Sequence, residues 1–138
     1  MNHDNGTQDF FYADGSVFVF STHQHPWYPG TGRPAETGEG AGHGATLNCP
    51  FPAGAGRAEI LAAFQDKLLP AARDFQPELI SAGFDSRLGD PLGRFTLSDA
   101  DFAGLTTLML EVADTIADGR LVSVPKGGYA WTVWPPRP

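Results

Sequence analysis

The chain has 138 residues, 41% apolar and only 18% charged, with 17 Gly and 12 Pro. That is enough for one packed domain, since about 150 residues bury roughly 68–70% of their unfolded surface, but it is too loop-rich for a helical bundle. The net charge of −7 and nine scattered Lys and Arg exclude a phosphate-binding surface and, with it, direct nucleic-acid binding.

No charged leader followed by an apolar run opens the chain, and no apolar stretch approaches ~18 residues. Neither a secretion signal nor a membrane span is therefore expected, and the cytoplasm is the expected compartment. The lone Cys49 agrees with a reducing environment.

Val17-Phe18-Val19-Phe20 is a short apolar run rich in β-branched and aromatic residues, the pattern of a strand buried on both faces of a parallel sheet. Residues 22–56 read as one long loop punctuated by Pro26, Pro29, Pro34, Pro50, Pro52 and many glycines. So long a connection is uncommon unless it is functional or hides short elements. Within it, Gly38-Glu-Gly-Ala-Gly-His-Gly44 lacks both the strand-to-helix setting and the Gly-Lys-Ser/Thr ending of a phosphate loop. Its glycines are expected to serve left-handed backbone or close chain approach.

Residues 58–69 carry Ile60, Leu61, Phe64, Leu68 and Leu69 on one stripe, a helix that ends or kinks at Pro70. Leu79-Ile80 with the following Ser-Ala is a very short strand. Ser98 and Asp101 then form an acidic variant of the capping box, followed by Phe102, Leu105, Met109, Val112 and Ile116 at helical spacing. Asp99, Asp101, Glu111, Asp114 and Asp118 make the solvated face of this helix, and Gly119 marks its stop. Leu121-Val122-Ser123-Val124 is the last strand. Strand, helix, strand, helix, strand predicts an α/β fold with a parallel sheet.

In such a sheet, ligands and catalytic groups collect outside the carboxyl ends of the strands. Asp85 stands there in Ser81-Ala-Gly-Phe-Asp-Ser-Arg-Leu-Gly-Asp-Pro-Leu-Gly93, and Tyr129 stands behind Gly127-Gly128 at the end of another run. Asp85 is a candidate metal ligand and Tyr129 a candidate polarising donor. A plainer role stays open for each: Asp85 capping a turn before Arg87 and Gly89, and Tyr129 a half-buried side chain after a glycine turn.

The motifs together resemble the zinc-dependent histone deacetylase family, which includes bacterial class II-like deacetylases and acetylpolyamine amidohydrolases. They run in the family's order: Asn5-Gly6-Thr7-Gln8, Ser21-Thr22-His23-Gln24, Tyr28-Pro29-Gly30-Thr31-Gly32, Gly38-Glu-Gly-Ala-Gly42, Asn48-Cys-Pro-Phe-Pro52, the Ser81 to Gly93 segment and Gly127-Gly128-Tyr129. The resemblance covers residues 2–129; residues 130–138 form a tail without family character. It implies a partial arginase/deacetylase-like parallel sheet with flanking helices and long glycine- and proline-rich loops. The implied reaction is zinc-dependent hydrolysis of an acetyl-amide, on acetyl-lysine or acetylpolyamine. By motif, Asp85 matches a zinc ligand and Tyr129 the oxyanion donor, while Tyr28, with Trp27 beside it, lines the acyl channel. Ser21 and Thr22 lie beside a monovalent-cation, or potassium, site.

The departures from the family pattern weigh equally. The family's Asp-x-His-His-Gly-Asn-Gly-Thr-Gln segment is met here only from Met1-Asn2-His3-Asp4-Asn5 onward, so its ligand aspartate falls before Met1. Asn2 occupies the ligand histidine's place, and the proton-shuttling His pair lies further upstream. The resemblance is thus to the C-terminal half of a deacetylase domain, with little or no activity expected from this chain alone. The run before Asp85 is about two residues short of the family's, roughly 7 Å of strand reach. His3, His23 and His25 are candidate substitute metal donors, the latter two sharing a strand face if the first strand extends through them. Two other readings are a non-catalytic relic or interaction protein that self-associates or binds another chain, and one half of a split enzyme completed by an N-terminal partner.

Overall fold

The computed structural model describes residues 2–82 and 86–123. Helix α1 (Asn5–Phe11) leads to strand β1 (Val19–Gln24), which pairs in parallel with β2 (Thr46–Phe51), Val19 opposite Thr46 and Gln24 opposite Phe51. Helices α2 (Arg57–Ala63) and α3 (Leu69–Phe75) follow, then β3 (Ile80–Ala82), α4 (Asp99–Ile116) and β4 (Leu121–Ser123). Strands β3 and β4 are also parallel, Ile80 opposite Leu121. The α/β class and parallel pairing agree with the expectation from sequence.

Three elements differ from it. β1 begins two residues later than the apolar run and continues through Ser21, Thr22, His23 and Gln24, all of them buried. The expected loop over residues 22–56 contains β2, concealed by Pro50 and Pro52, because proline within a run argues against a strand. Pro70 does not end a helix. A single π turn, Phe64–Leu68, carries α2 into α3 with Pro70 in the first turn of α3. Proline lacks an N–H and its ring collides with the carbonyl four residues back, and the wider turn just before it absorbs that mismatch. The helix stops only at Gln76, in left-handed conformation at φ 56°.

α4 matches its sequence signature. The Ser98 hydroxyl accepts from Asp101 N–H at 3.3 Å, and Asp101 Oδ2 accepts from Ser98 N–H at 2.9 Å. That backbone bond, with Arg57 and the Ser98 hydroxyl behind it, draws the Asp101 carboxyl down to about 2. The inner face of α4 buries Leu105, Met109 and Val112. Leu105 joins Ala55, Ile60, Phe95 and Leu97 in an apolar core against which Phe51, Leu61, Phe64 and Phe102 pack. Ile60 and Leu97 are each 1% exposed, and a fully buried side chain of this size stabilises by about 1.5–3 kcal/mol. A ring contact between Phe20 and Phe64, 5.3 Å between centroids, ties β1 to the helical layer.

The glycine run also behaves as expected: Gly38, Gly40 and Gly44 have φ of 93°, 53° and 88°. It leads into β2 and not into a helix. No described helix is long and apolar enough to cross a membrane.

Candidate functional site

Strand alternation sends Ser21 and His23 to one face of β1 and Thr22 and Gln24 to the other. Both faces are covered at the carboxyl end, and His23 is fully buried. On the first face the His23 ring is held at both nitrogens, Nε2 at 2.9 Å from the Gly32 carbonyl and Nδ1 at 3.0 Å from the Ser21 hydroxyl. A carbonyl only accepts, so Nε2 carries the proton and Nδ1 takes the Ser21 hydroxyl hydrogen. Burial, then the neighbouring His3, pushes the His23 pKa down to about 4, so this ring is neutral near pH 7.

His3 stacks against His23 with centroids 4.6 Å apart. Its Nε2 donates to Gln8 Oε1 at 3.1 Å, and its Nδ1 lies 2.8 Å from the Thr31 hydroxyl. Gln8, the inward residue of α1, also accepts from Asn48 Nδ2 at 2.7 Å and donates to Glu36 at 2.9 Å. The same Glu36 oxygen accepts the Gly32 N–H at 2.9 Å. Gly32 is thereby gripped through its carbonyl by His23 and through its N–H by Glu36. At φ +84°, a methyl added there would collide with His23 Nε2 and stand 2.8 Å from His3 Cδ2. Glycine is required on both counts.

On the second face, Gln24 Oε1 accepts from Arg94 N–H at 3.0 Å. Trp27 donates its indole N–H to the Leu92 carbonyl at 2.9 Å, with the Arg94 guanidinium 5.8 Å from its ring centroid. Tyr28 is 75% exposed. Arg87 grips Asp99 through Nε at 2.6 Å and Nη2 at 3.0 Å, pinning the segment after Asp85 to the start of α4. Cys49 is buried, and burial raises its thiol pKa, the opposite of what a thiolate nucleophile needs.

The predicted site residues distribute as follows. Ser21 and Thr22 lie buried on β1, with the Ser21 hydroxyl directed at His23. Trp27 and Tyr28 sit on the loop leaving β1, and Asn2, one residue before His3 in sequence, has its Oδ1 buried and without a hydrogen-bond partner. Asp85 and Tyr129 lie outside the described residues. Among the described residues, His3, His23 and His25 do not form a metal site. Both nitrogens of His3 and of His23 are engaged, and β1 ends at Gln24, before His25. No three His, Cys, Asp or Glu side chains converge among the described residues. That donor set does not fit a catalytic zinc, which takes three protein ligands and an open position. Gln8, Glu36 and Asn48 were given no role from sequence, although Gln8 and Asn48 fall inside the motifs and Glu36 lies four residues after Gly32.

A parallel α/β domain with its polar groups gathered at the strand carboxyl ends is the class that fold and cluster define. The histone deacetylase domain family matches residues 1–135. Histone deacetylase 10, chloroplastic, of Oryza sativa subsp. japonica is 42% identical over 94% of this chain and 30% of its own length. A probable deacetylase of Archaeoglobus fulgidus is 40% identical over 94% of this chain and 36% of its own. The crystal structure of the HDA15 HD domain superposes with a TM-score of 0.85 at 36% identity, covering 93% of this chain and 36% of that one. The chain belongs to the histone deacetylase family and has its arginase/deacetylase-like fold. It spans about a third of the length of these relatives.

Proposed function

We propose that this stretch forms the C-terminal half of a zinc-dependent deacetylase site acting on an acetyl-amide, with acetyl-lysine or an acetylpolyamine as the substrate class. Asp85 is the metal ligand it contributes and Tyr129 the oxyanion donor, with Trp27 and Tyr28 at the acyl channel. A potassium ion beside Ser21 and Thr22 and a cytoplasmic location belong to the same reading. The observation that carries it is the 0.85 TM-score likeness to a deacetylase domain across 93% of the chain.

The 138-residue polypeptide by itself is proposed to have little or no hydrolase activity. Asn2 stands at a ligand histidine's place, and its amide oxygen is a far weaker zinc donor than imidazole. The test is zinc stoichiometry together with turnover of an acetyl-lysine reporter. Neither is expected from this polypeptide, and turnover is expected once a second polypeptide supplies the family's upstream half, with both the Asp-x-His segment and the proton-shuttling His pair. Stoichiometric zinc and hydrolysis from the 138 residues alone would contradict the proposal.

A second reading, a non-catalytic interaction protein, is favoured by apolar side chains left in water: Phe10 at 81%, Leu79 at 59% and Val122 at 46% exposure. It prevails if the added segment restores nothing and the chain binds another chain or itself.

A further inference from the structure

The glycine-rich turn over residues 38–44 shapes a second concavity, at the end of the β1–β2 pair away from His23. A methyl on Gly42 would stand 2.6 Å from the Tyr12 carbonyl, and Glu39 N–H donates to that same carbonyl at 2.9 Å. A methyl on Gly15 would collide with the Ala41 carbonyl. The turn after α1 and the glycine-rich turn are thus locked at a separation that only glycine permits. Gly44 N–H donates to the Thr37 carbonyl at 2.7 Å, and Val19 N–H to the Ala45 carbonyl at 2.8 Å, which fixes this wall to the start of β1. Gly44 itself, at φ +88°, has nothing within 4 Å of where a side chain would stand.

The open space is a groove of about 360 Å³ lined by this turn, by α3 and by the approach to β1. Small-molecule sites run from about 300 to 1,000 Å³. Its apolar surface is Phe18, Ala45, Ala71 and Phe75, the two phenyl rings lying 5.4 Å apart between centroids. Its polar side chains are His43 and Asp74, both exposed. Asp74 is the one carboxylate among the described lining residues, which include no Lys or Arg, and no described residue bonds to its side chain. Phe18 precedes His23 by five residues, roughly 16 Å of extended chain, so the groove is separate from the histidine cluster.

We propose that this groove binds a small organic amine in its ammonium form, the cation pairing with Asp74 and the apolar body lying on the Phe18 and Phe75 rings. Charge and surface select this class. An anion would meet the Asp74 carboxylate with no cation in the lining to offset it, an inorganic cation would leave the phenyl rings in water, and a neutral ligand would leave the carboxylate unpaired. An ammonium within about 6 Å of a phenyl face gains further from the ring quadrupole. The site does not depend on the hydrolase reading.

An amide NMR titration of the 138-residue chain with phenethylammonium chloride tests it. The Gly15, Gly44, Ala45 and Phe75 amides shift along one saturable curve, while those of His23 and Asn48 stay in place. Asp74→Asn, a change at an exposed side chain, weakens binding about fivefold. Phe75→Leu, which keeps an apolar body without the aromatic face, weakens it about threefold. Phenethyl alcohol, the same body without the charge, binds about fivefold more weakly than the amine.

No saturable shift at the groove amides overturns the proposal. So do equal binding of amine and alcohol, undiminished binding by Asp74→Asn, and the same response to ammonium chloride alone.

Discussion

The two interiors of this domain are built on opposite rules. Beside α4, Ile60, Phe95, Leu97 and Leu105 fill space with side chains that need only shape. At the carboxyl end of β1, His3, Gln8, His23, Glu36 and Asn48 fill it with groups that each need a named partner. An apolar core degrades gradually as atoms are removed, whereas a buried polar cluster fails when one donor loses its acceptor. The polar interior lies where a parallel sheet places its site, so it fixes the geometry of the loop carrying Trp27 and Tyr28.

The largest effect expected from this contrast comes from the smallest addition. Gly32→Ala adds one carbon, forces a left-handed alanine and drives a methyl into His23 and His3, costing about 4 kcal/mol. Denaturant unfolding would show it, and a cost no larger than at an exposed loop glycine would break the contrast.

Acid comes next. His23 has a pKa of about 4 in the fold against 6.5 as its ordinary value. The unfolded chain therefore binds the extra proton between those values, and stability rises with pH across that window. The contribution, about 3 kcal/mol, is fully present above 6.5 and lost as pH falls through 6.5 toward 4. Unfolding midpoints measured from pH 7 to pH 4 should fall for the parent protein and much less for His23→Gln.

In the apolar interior, Ile60→Val removes one methylene from a site 1% exposed and costs about 1 kcal/mol. A loss there as large as that of Gly32→Ala would erase the distinction between the two interiors.

The apolar half was the more legible in sequence. The stripe through Ile60 and Phe64 and the Ser98 cap follow from local periodicity and local hydrogen bonding, and both stand in the structure. Of the two outcomes open at Pro70, the structure decides against an ending, because a π turn accommodates the proline, a device that spacing does not encode. β2 was hidden by Pro50 within it and Pro52 just beyond it, and α1 carries no apolar stripe, its inward side chain being the polar Gln8.

The polar cluster was legible only as a list of motifs. Gln8, Glu36 and Asn48 are brought together across 28 and 40 residues of chain, and nothing local to any of them specifies that meeting. The histidines could be read from sequence as metal donors until their partners were seen.

The central claim, that the histidines at the end of β1 organise a loop and do not bind a metal, is most directly tested by the nitrogen-15 imidazole spectrum at neutral pH, with and without added zinc. The account predicts His23 as the Nε2–H tautomer, and His3 and His23 signals that do not move when zinc is added. A His23 ring protonated at Nδ1, or zinc-dependent shifts at Nε2 of either ring, would contradict it.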